Sequence, residues 1–296
     1  MKILLLGVNG QVGWELKRLL EPSTDLITFD RKQLDLEDSE GLKSILMTIK
    51  PKFIINAAAY TNVDKAESEV DKAYLINTKA VGLIAESAKW LGATLFHYST
   101  DYVFDGSQSG FYCESDQTCP INTYGKSKLD GEKAIISSGC DYIIFRTSWV
   151  YGRHGNNFIK TILRLAQEKD TLQIVNDQLG VPTSAELIAD VTCLVMKNII
   201  NNKNSDRNSL YHLVPSGETN WYDFAKFIIE QSTKSGLKCK TDVNSISPIA
   251  TEDYHTPAKR PKNSRLSTEK LTSMLGIEMP SWQQNATKTI AEIIHG

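Results

Sequence analysis

Tyr124 and Lys128, in Tyr124-Gly125-Lys126-Ser127-Lys128, place a phenol and an ammonium one turn apart, so a helix there presents both on one face. A free tyrosine titrates near pH ~10, and a neighbouring positive charge lowers that value by favouring the phenolate. A tyrosine tuned in this way can hand a proton to a ketone oxygen while hydride from a nicotinamide reaches the ketone carbon. Thr100, in Ser99-Thr100-Asp101-Tyr102, offers a hydroxyl to hold the same oxygen. Lys128 is expected both to tune Tyr124 and to grip the nicotinamide ribose. Tyr-x-x-x-Lys alone arises by chance in many helices; its weight comes from what stands upstream.

Upstream is a glycine pattern. Gly7, Gly10 and Gly13 follow the apolar run Ile3–Leu6 and open a helix through Trp14, Glu15 and Leu16. Glycines let the backbone turn sharply and approach a pyrophosphate, whose charge meets the N–H groups at the helix start. Asn9, Gln11 and Val12 complete this expected cofactor loop. Asp30 closes a second run and Arg31 follows it. The acid suits the ribose hydroxyls of NAD and the guanidinium the 2′-phosphate of NADP, so NADH and NADPH both stay open. Asp35 and Leu36 stand where they could hold the adenine edge, although Asp35 reads equally well as a helix cap. Ala57, Ala58 and Ala59 end a third run with small residues that let a flat ligand lie against the backbone. Just beyond, Asp64 and Glu67 read as part of a capped helix start, and Val63 as a residue facing substrate.

Such groups must be brought to one edge by a scaffold. Ile3–Leu6, Leu26–Phe29, Phe53–Asn56, Thr94–Ser99 and Tyr142–Thr147 read as strands with helical periodicity between them. That alternation predicts an α/β fold: a doubly wound parallel sheet of Rossmann type with a smaller C-terminal substrate-binding lobe. The dinucleotide-binding domain is expected over residues 1–150, with segments near 184–200 and 210–216 returning to it, and 151–296 forming most of the smaller lobe. In the second half, 157–168, 184–199 and 221–232 read as helices, 172–175 as a strand and 201–209 as an exposed loop.

Composition narrows the class. In 296 residues, 41% hydrophobic and 23% charged, the chain reads as globular. Its formal charge is −2 and no basic run stands out, so neither nucleic acid nor an anionic membrane surface is expected as a partner. Five cysteines without a Cys-x-x-Cys read as free thiols in a reducing compartment. The apolar stretch before Gly7 is too short for a secretory signal and no run reaches membrane-spanning length, so a cytoplasmic location is expected.

The chain resembles the extended short-chain dehydrogenase/reductases, and within them the reductases of dTDP-linked 4-keto-6-deoxy sugars. The carriers of the likeness are Gly7–Leu16, Asn56–Glu67, Ser99–Gly106, Tyr124–Glu132, Arg146–Gly152, Gly155–Phe158 and Arg260–Leu266. The resemblance implies reduction of dTDP-4-dehydro-6-deoxy-L-mannose to dTDP-L-rhamnose for surface polysaccharide, with Thr100, Tyr124 and Lys128 as the catalytic trio. It further implies that Asp101, Tyr102, Trp149, Asn157 and Arg260 meet the substrate, with Arg265 an alternative to Arg260 at the diphosphate. A homodimer is implied, together with Mg²⁺ between subunits at Glu15, Glu186 and Glu292; the same glutamates read by themselves as solvated helix charges. Related dehydratases carry Asp-Glu after the threonine, whereas Tyr102 follows Asp101 here, which argues against dehydration. Two other readings stand beside this one: a reductase or epimerase of another nucleotide sugar, and a non-catalytic regulatory subunit like that of methionine adenosyltransferase.

Overall fold

The computed structural model describes residues 1–202 and 206–296. Six parallel strands form the central sheet: β1 (Lys2–Leu6), β2 (Asp25–Phe29), β3 (Phe53–Asn56), β4 (Thr94–Thr100), β5 (Asp141–Thr147) and β6 (Asn208–His212). Their spatial order is β6-β5-β4-β3-β1-β2. The order reverses between β1 and β3, so a crevice opens there at the carboxyl edge, where ligands of such sheets bind.

The strands are apolar on both faces because helices cover both faces. The main helices are α1 (Gln11–Leu20), α2 (Ser39–Ile49), α3 (Ala80–Leu91), α4 (Thr123–Ser138), α5 (Phe158–Glu168), α6 (Ala185–Asn201), α7 (Trp221–Lys234) and α8 (Trp282–His295). Ile3, Leu5, Phe53, Ile55, Phe96 and Phe145 pack with Leu16 of α1 and Ile188, Val191 and Val195 of α6. Their alternates Leu4, Leu6, Ile54, Leu95 and Ile144 pack on the other face with Leu42 and Leu46 of α2 and Val81, Ile84 and Ala88 of α3. Each fully buried Leu or Ile here stabilises the fold by roughly 1.5–3 kcal/mol.

A third cluster joins Ile159, Ile162 and Leu163 of α5 to Phe224 and Ile228 of α7 and Trp282 and Ile290 of α8. Beside it the short strand Leu172–Val175 pairs in parallel with Ile246–Ile249. The second half of the chain also supplies β6, which extends the central sheet along β5. Where an exposed loop was expected over 201–209, α6 runs through Asn201 and β6 begins at Asn208; residues 203–205 lie outside the described residues.

Two local details set the site. β4 runs one residue further than its periodicity suggested, and Thr100 pairs with Thr147 as the last strand residue. Helix α4 comes very close to the segment after β4, since a Cβ on Gly125 would collide with the Tyr102 carbonyl. That approach needs glycine immediately after Tyr124.

Candidate active site

A cleft of about 740 Å³ lies at the switch point. Gly7, Val8, Asn9, Gly10, Gln11, Val12, Asp30, Arg31, Asp35, Leu36 and Ala57–Ala59 line one part, and Val63, Thr100, Asp101, Tyr102, Tyr124, Lys128 and Trp149 another. Residues far apart in sequence thus share one cavity.

The glycine loop is formed by backbone. Gly7 has φ +81° and its carbonyl accepts the Gly10 N–H at 2.9 Å. Gly13 does not line the cleft; it lets α1 approach β1, because a Cβ there would strike the Gly7 carbonyl. Gly10 is the N-cap of α1 and offers no side-chain acceptor, leaving the first N–H groups of that helix for an anion. A dinucleotide pyrophosphate fits this cradle.

At the adenine end Asp30 Oδ1 accepts the backbone N–H of Lys32 at 2.8 Å and of Gln33 at 2.9 Å. The Arg31 guanidinium is exposed and paired with Asp35 at 3.3 Å and Glu37 at 2.7 Å. Asp35 holds the Glu37 N–H, which with Arg31 lowers its carboxyl below the usual range. It caps no helix; Asp38 caps α2, accepting from Gly41.

On the other wall Asn122 caps α4 through the Gly125 N–H at 2.7 Å and donates to the Lys259 carbonyl at 2.8 Å. Glu67, far from a local capping role, accepts the Thr123 N–H at 2.7 Å and the Thr123 hydroxyl at 3.1 Å. Two polar side chains therefore fix the first turn of α4, where Tyr124 sits. Tyr124 and Thr100 line the same part of the cleft, and the Tyr124 ring meets the edge of Tyr102 at 5.9 Å. Thr100 donates to Asp101 Oδ1 at 2.9 Å.

The expected lowering of Tyr124 by Lys128 is not what the structure shows. Burial raises the phenol well above its ordinary value and the Asp101 charge adds to this, with only the Thr100 hydrogen bond acting the other way. Lys128 donates instead to the Tyr98 carbonyl at 2.6 Å and lies 3.1 Å from His97. Burial pushes Lys128 down to about 8 and Asp101 up to about 6. A phenol raised in this way keeps its proton at neutrality, which is the form that can donate to a ketone oxygen.

Trp149 adopts φ +46°, a conformation costly for a bulky residue and concentrated at functional sites. Its indole stacks on Trp221 with centroids 3.6 Å apart and packs where Gly180 has no Cβ. Trp221 also lines the cleft, its indole N–H donating to Gln178 at 3.2 Å. In the sequence Trp221 reads only as the start of a helix; an aromatic residue at a helix N-terminus is the available signal.

Several expected contacts lie elsewhere. Asn157 caps α5 through Lys160 and donates to Gln11 at 3.0 Å and the Gly152 carbonyl at 2.7 Å, outside the cleft lining. Arg260 also lies outside it, paired at 2.8 Å with Asp64, which sits as expected in the first turn of a short helix, Val63–Ala66, capped by Asn62. Arg265 is engaged by Asn263, Glu218 and the Ser109 carbonyl. The glutamates expected at Mg²⁺ do not fit that role in this chain: Glu15 binds Arg18 at 2.9 Å, and Glu186 binds Arg18 at 3.3 Å and Lys288 at 2.7 Å. Glu292 joins neither into a ligand set, and among the described residues no group of three or more His, Cys, Asp or Glu side chains could hold a metal ion. Cations already occupy two of the three carboxylates.

A parallel sheet with a glycine loop at its switch point, and a Thr-Tyr-Lys group facing it, defines a nicotinamide-dependent oxidoreductase of the extended short-chain dehydrogenase/reductase class. More narrowly, the chain belongs to the family described as RmlD substrate binding domain, whose model matches residues 1–294. It is 46% identical over 297 residues to the dTDP-4-dehydrorhamnose reductase of Escherichia coli K12, covering 99% of this chain and 98% of the relative. It is 44% identical to that of Burkholderia thailandensis over 96% of each chain. Among solved structures, the dTDP-4-dehydrorhamnose reductase of Bacillus anthracis in complex with NADP superposes with TM-score 0.88 at 34% identity, covering 98% of this chain and 99% of that one. The Clostridium acetobutylicum protein of the same name gives 0.90 at 35% identity, covering 99% and 100%.

Proposed function

We propose that this chain reduces the 4-keto group of dTDP-4-dehydro-6-deoxy-L-mannose to give dTDP-L-rhamnose. The observation carrying this reading is the placement of the Tyr124 phenol beside Thr100 and Lys128 in the same cleft as the glycine loop. The names of its relatives supply the sugar nucleotide. A bound nicotinamide supplies the hydride. Thr100 and Tyr124 hold the sugar carbonyl oxygen, and Tyr124 gives it the proton. Lys128 anchors the nicotinamide ribose, and Trp149 with Trp221 forms an apolar wall for the deoxysugar. Backbone N–H groups at the start of α1 bind the cofactor pyrophosphate. Arg31 supports NADPH through its guanidinium, and Asp30 supports NADH.

The reading includes a cytoplasmic location, supported by five free cysteines, and a homodimer, which sedimentation velocity tests. Among the described residues no helix is long and apolar enough to cross a membrane. The deciding assay offers purified protein a panel of dTDP- and UDP-linked 4-keto sugars with NADPH and with NADH, following reduced-cofactor loss and identifying the product by NMR. dTDP-L-rhamnose as the preferred product is expected. Preferential turnover of a UDP-sugar, or none of the dTDP substrate, contradicts the assignment.

A further inference from the structure

His97 is fully buried on β4 between two polar groups. Its Nδ1 lies 3.3 Å from the Asn56 amide nitrogen, and its Nε2 lies 3.1 Å from the Lys128 ammonium position. Asn56 is its neighbour across the β3–β4 ladder. The Asn56 amide has a fixed sense, because its oxygen accepts the Ala58 N–H at 3.2 Å and its NH₂ is left to face His97.

These contacts constrain where protons can be. A neutral imidazole carries one N–H. With Nδ1 accepting from Asn56, that proton is on Nε2 and points at the Lys128 nitrogen. Only an uncharged amine has a lone pair to receive it. If Lys128 is an ammonium it must donate to Nε2, the imidazole proton moves to Nδ1, and two donors face each other across the Asn56 contact. Relief then requires the Asn56 amide to turn over and release Ala58 on the cofactor wall. An imidazolium beside an ammonium is worse still, since both charges are buried.

We infer that His97 is a positioning residue for the reaction: with Asn56 it couples the charge on Lys128 to the imidazole tautomer and to the Ala58 backbone that lines the cofactor cleft. The surroundings agree. Burial holds His97 neutral and lowers Lys128. Of the other groups near Lys128, Glu132 favours its charge from the same helix, but its carboxylate is bound at 3.0 and 2.7 Å by Arg146 of β5. Tyr98 contributes a carbonyl from β4, and Tyr124, Thr100 and Asp101 lie toward the cleft.

The inference rests on the reductase reading, but the first arm of its test does not depend on turnover. Protein labelled with ¹⁵N-histidine is followed by long-range ¹H–¹⁵N NMR from pH 6 to 10, with His97→Gln locating the His97 signals. His97 is expected to stay neutral throughout and to pass from the Nδ1–H to the Nε2–H tautomer as Lys128 loses its charge. The midpoint should match the alkaline limb of kcat/KM, and in His97→Gln that limb should move by at least one pH unit while cofactor affinity changes less than the limb. One tautomer at every pH, or an imidazolium appearing near neutrality, overturns the inference. So does an unmoved limb in folded His97→Gln. Inactivity of the wild-type chain on the keto sugar would instead count against the proposed function alone.

Discussion

Along the glycine-loop wall the groups facing the cleft are largely backbone, placed by Gly7, Gly13 and Ala57–Ala59. Across from it stand side chains, Thr100, Asp101 and Lys128, buried and hydrogen-bonded to one another or to strand β4, with the half-buried Tyr124 beside them. The first wall depends on shape, since it recognises a ligand through close approach and a helix end without a side-chain cap. The second depends on proton placement, because every buried donor there needs a partner. The difference teaches that substitutions in the two walls should fail in separable ways, one in cofactor binding and the other in turnover.

The largest expected effect is on the second wall. Tyr124→Phe should lower turnover by ~10²–10⁴-fold, the range for removing one positioned proton donor. Its NADPH affinity, read by fluorescence titration, should stay within about twofold of wild type, since only transition-state stabilisation is lost. Equal losses in both would merge the two walls. Gly13→Ala should do the reverse. A Cβ driven into the Gly7 carbonyl should cost roughly 1–3 kcal/mol in urea unfolding and weaken NADPH binding in calorimetry, with turnover at saturating cofactor largely kept.

Trp221→Ala sharpens the division within the second wall, because this residue carries shape and no proton. A rise of about tenfold in KM for the sugar nucleotide, with kcat little changed, is expected from loss of one apolar wall. A fall in kcat alone would assign Trp221 to the chemistry.

The smallest effect concerns pH and stability. His212 lies behind the catalytic wall, pushed down to about 3 by burial and by Arg146. Between about pH 6.5 and 3 the unfolded chain therefore binds a proton that the folded chain refuses, so stability is present above that window and falls as pH drops through it. His97, also held low, acts in the same direction. Asp101, raised to about 6 by burial, opposes them, since folding takes up its proton below that value. Asp190 is raised by burial as well, though less than Asp101, so the two histidines still leave a net loss, at most ~1.4 kcal/mol per pH unit for each unbalanced proton. Urea midpoints between pH 7 and pH 5 should fall, and His212→Asn should flatten the slope.

What was legible in the sequence was local. The strand runs, the glycine loop and the Tyr124–Lys128 spacing each lie within a few residues, and hydrophobic period or side-chain type declares them. The rest depends on meetings between distant segments. Glu67 reads as a helix-start acid until Thr123 is seen above it, and Trp221 reads only as the first residue of a helix until it stacks on Trp149. Asn157 and Arg260 show the converse, residues of suggestive type that also close a helix end and an ion pair. The tuning of Tyr124 departs from its sequence spacing for the same reason, because spacing carries no measure of burial and burial outweighs a lysine turned toward Tyr98.

The central claim is that the cleft delivers hydride from a nicotinamide to a sugar carbonyl protonated by Tyr124. Reducing the dTDP-4-keto sugar with NADPH deuterated at the transferred position, in ordinary water, tests it most directly by NMR of the product. Deuterium bonded to C4 of the sugar, with none there when unlabelled NADPH is used in D₂O, is the predicted result. A C4 hydrogen drawn from solvent would contradict the account.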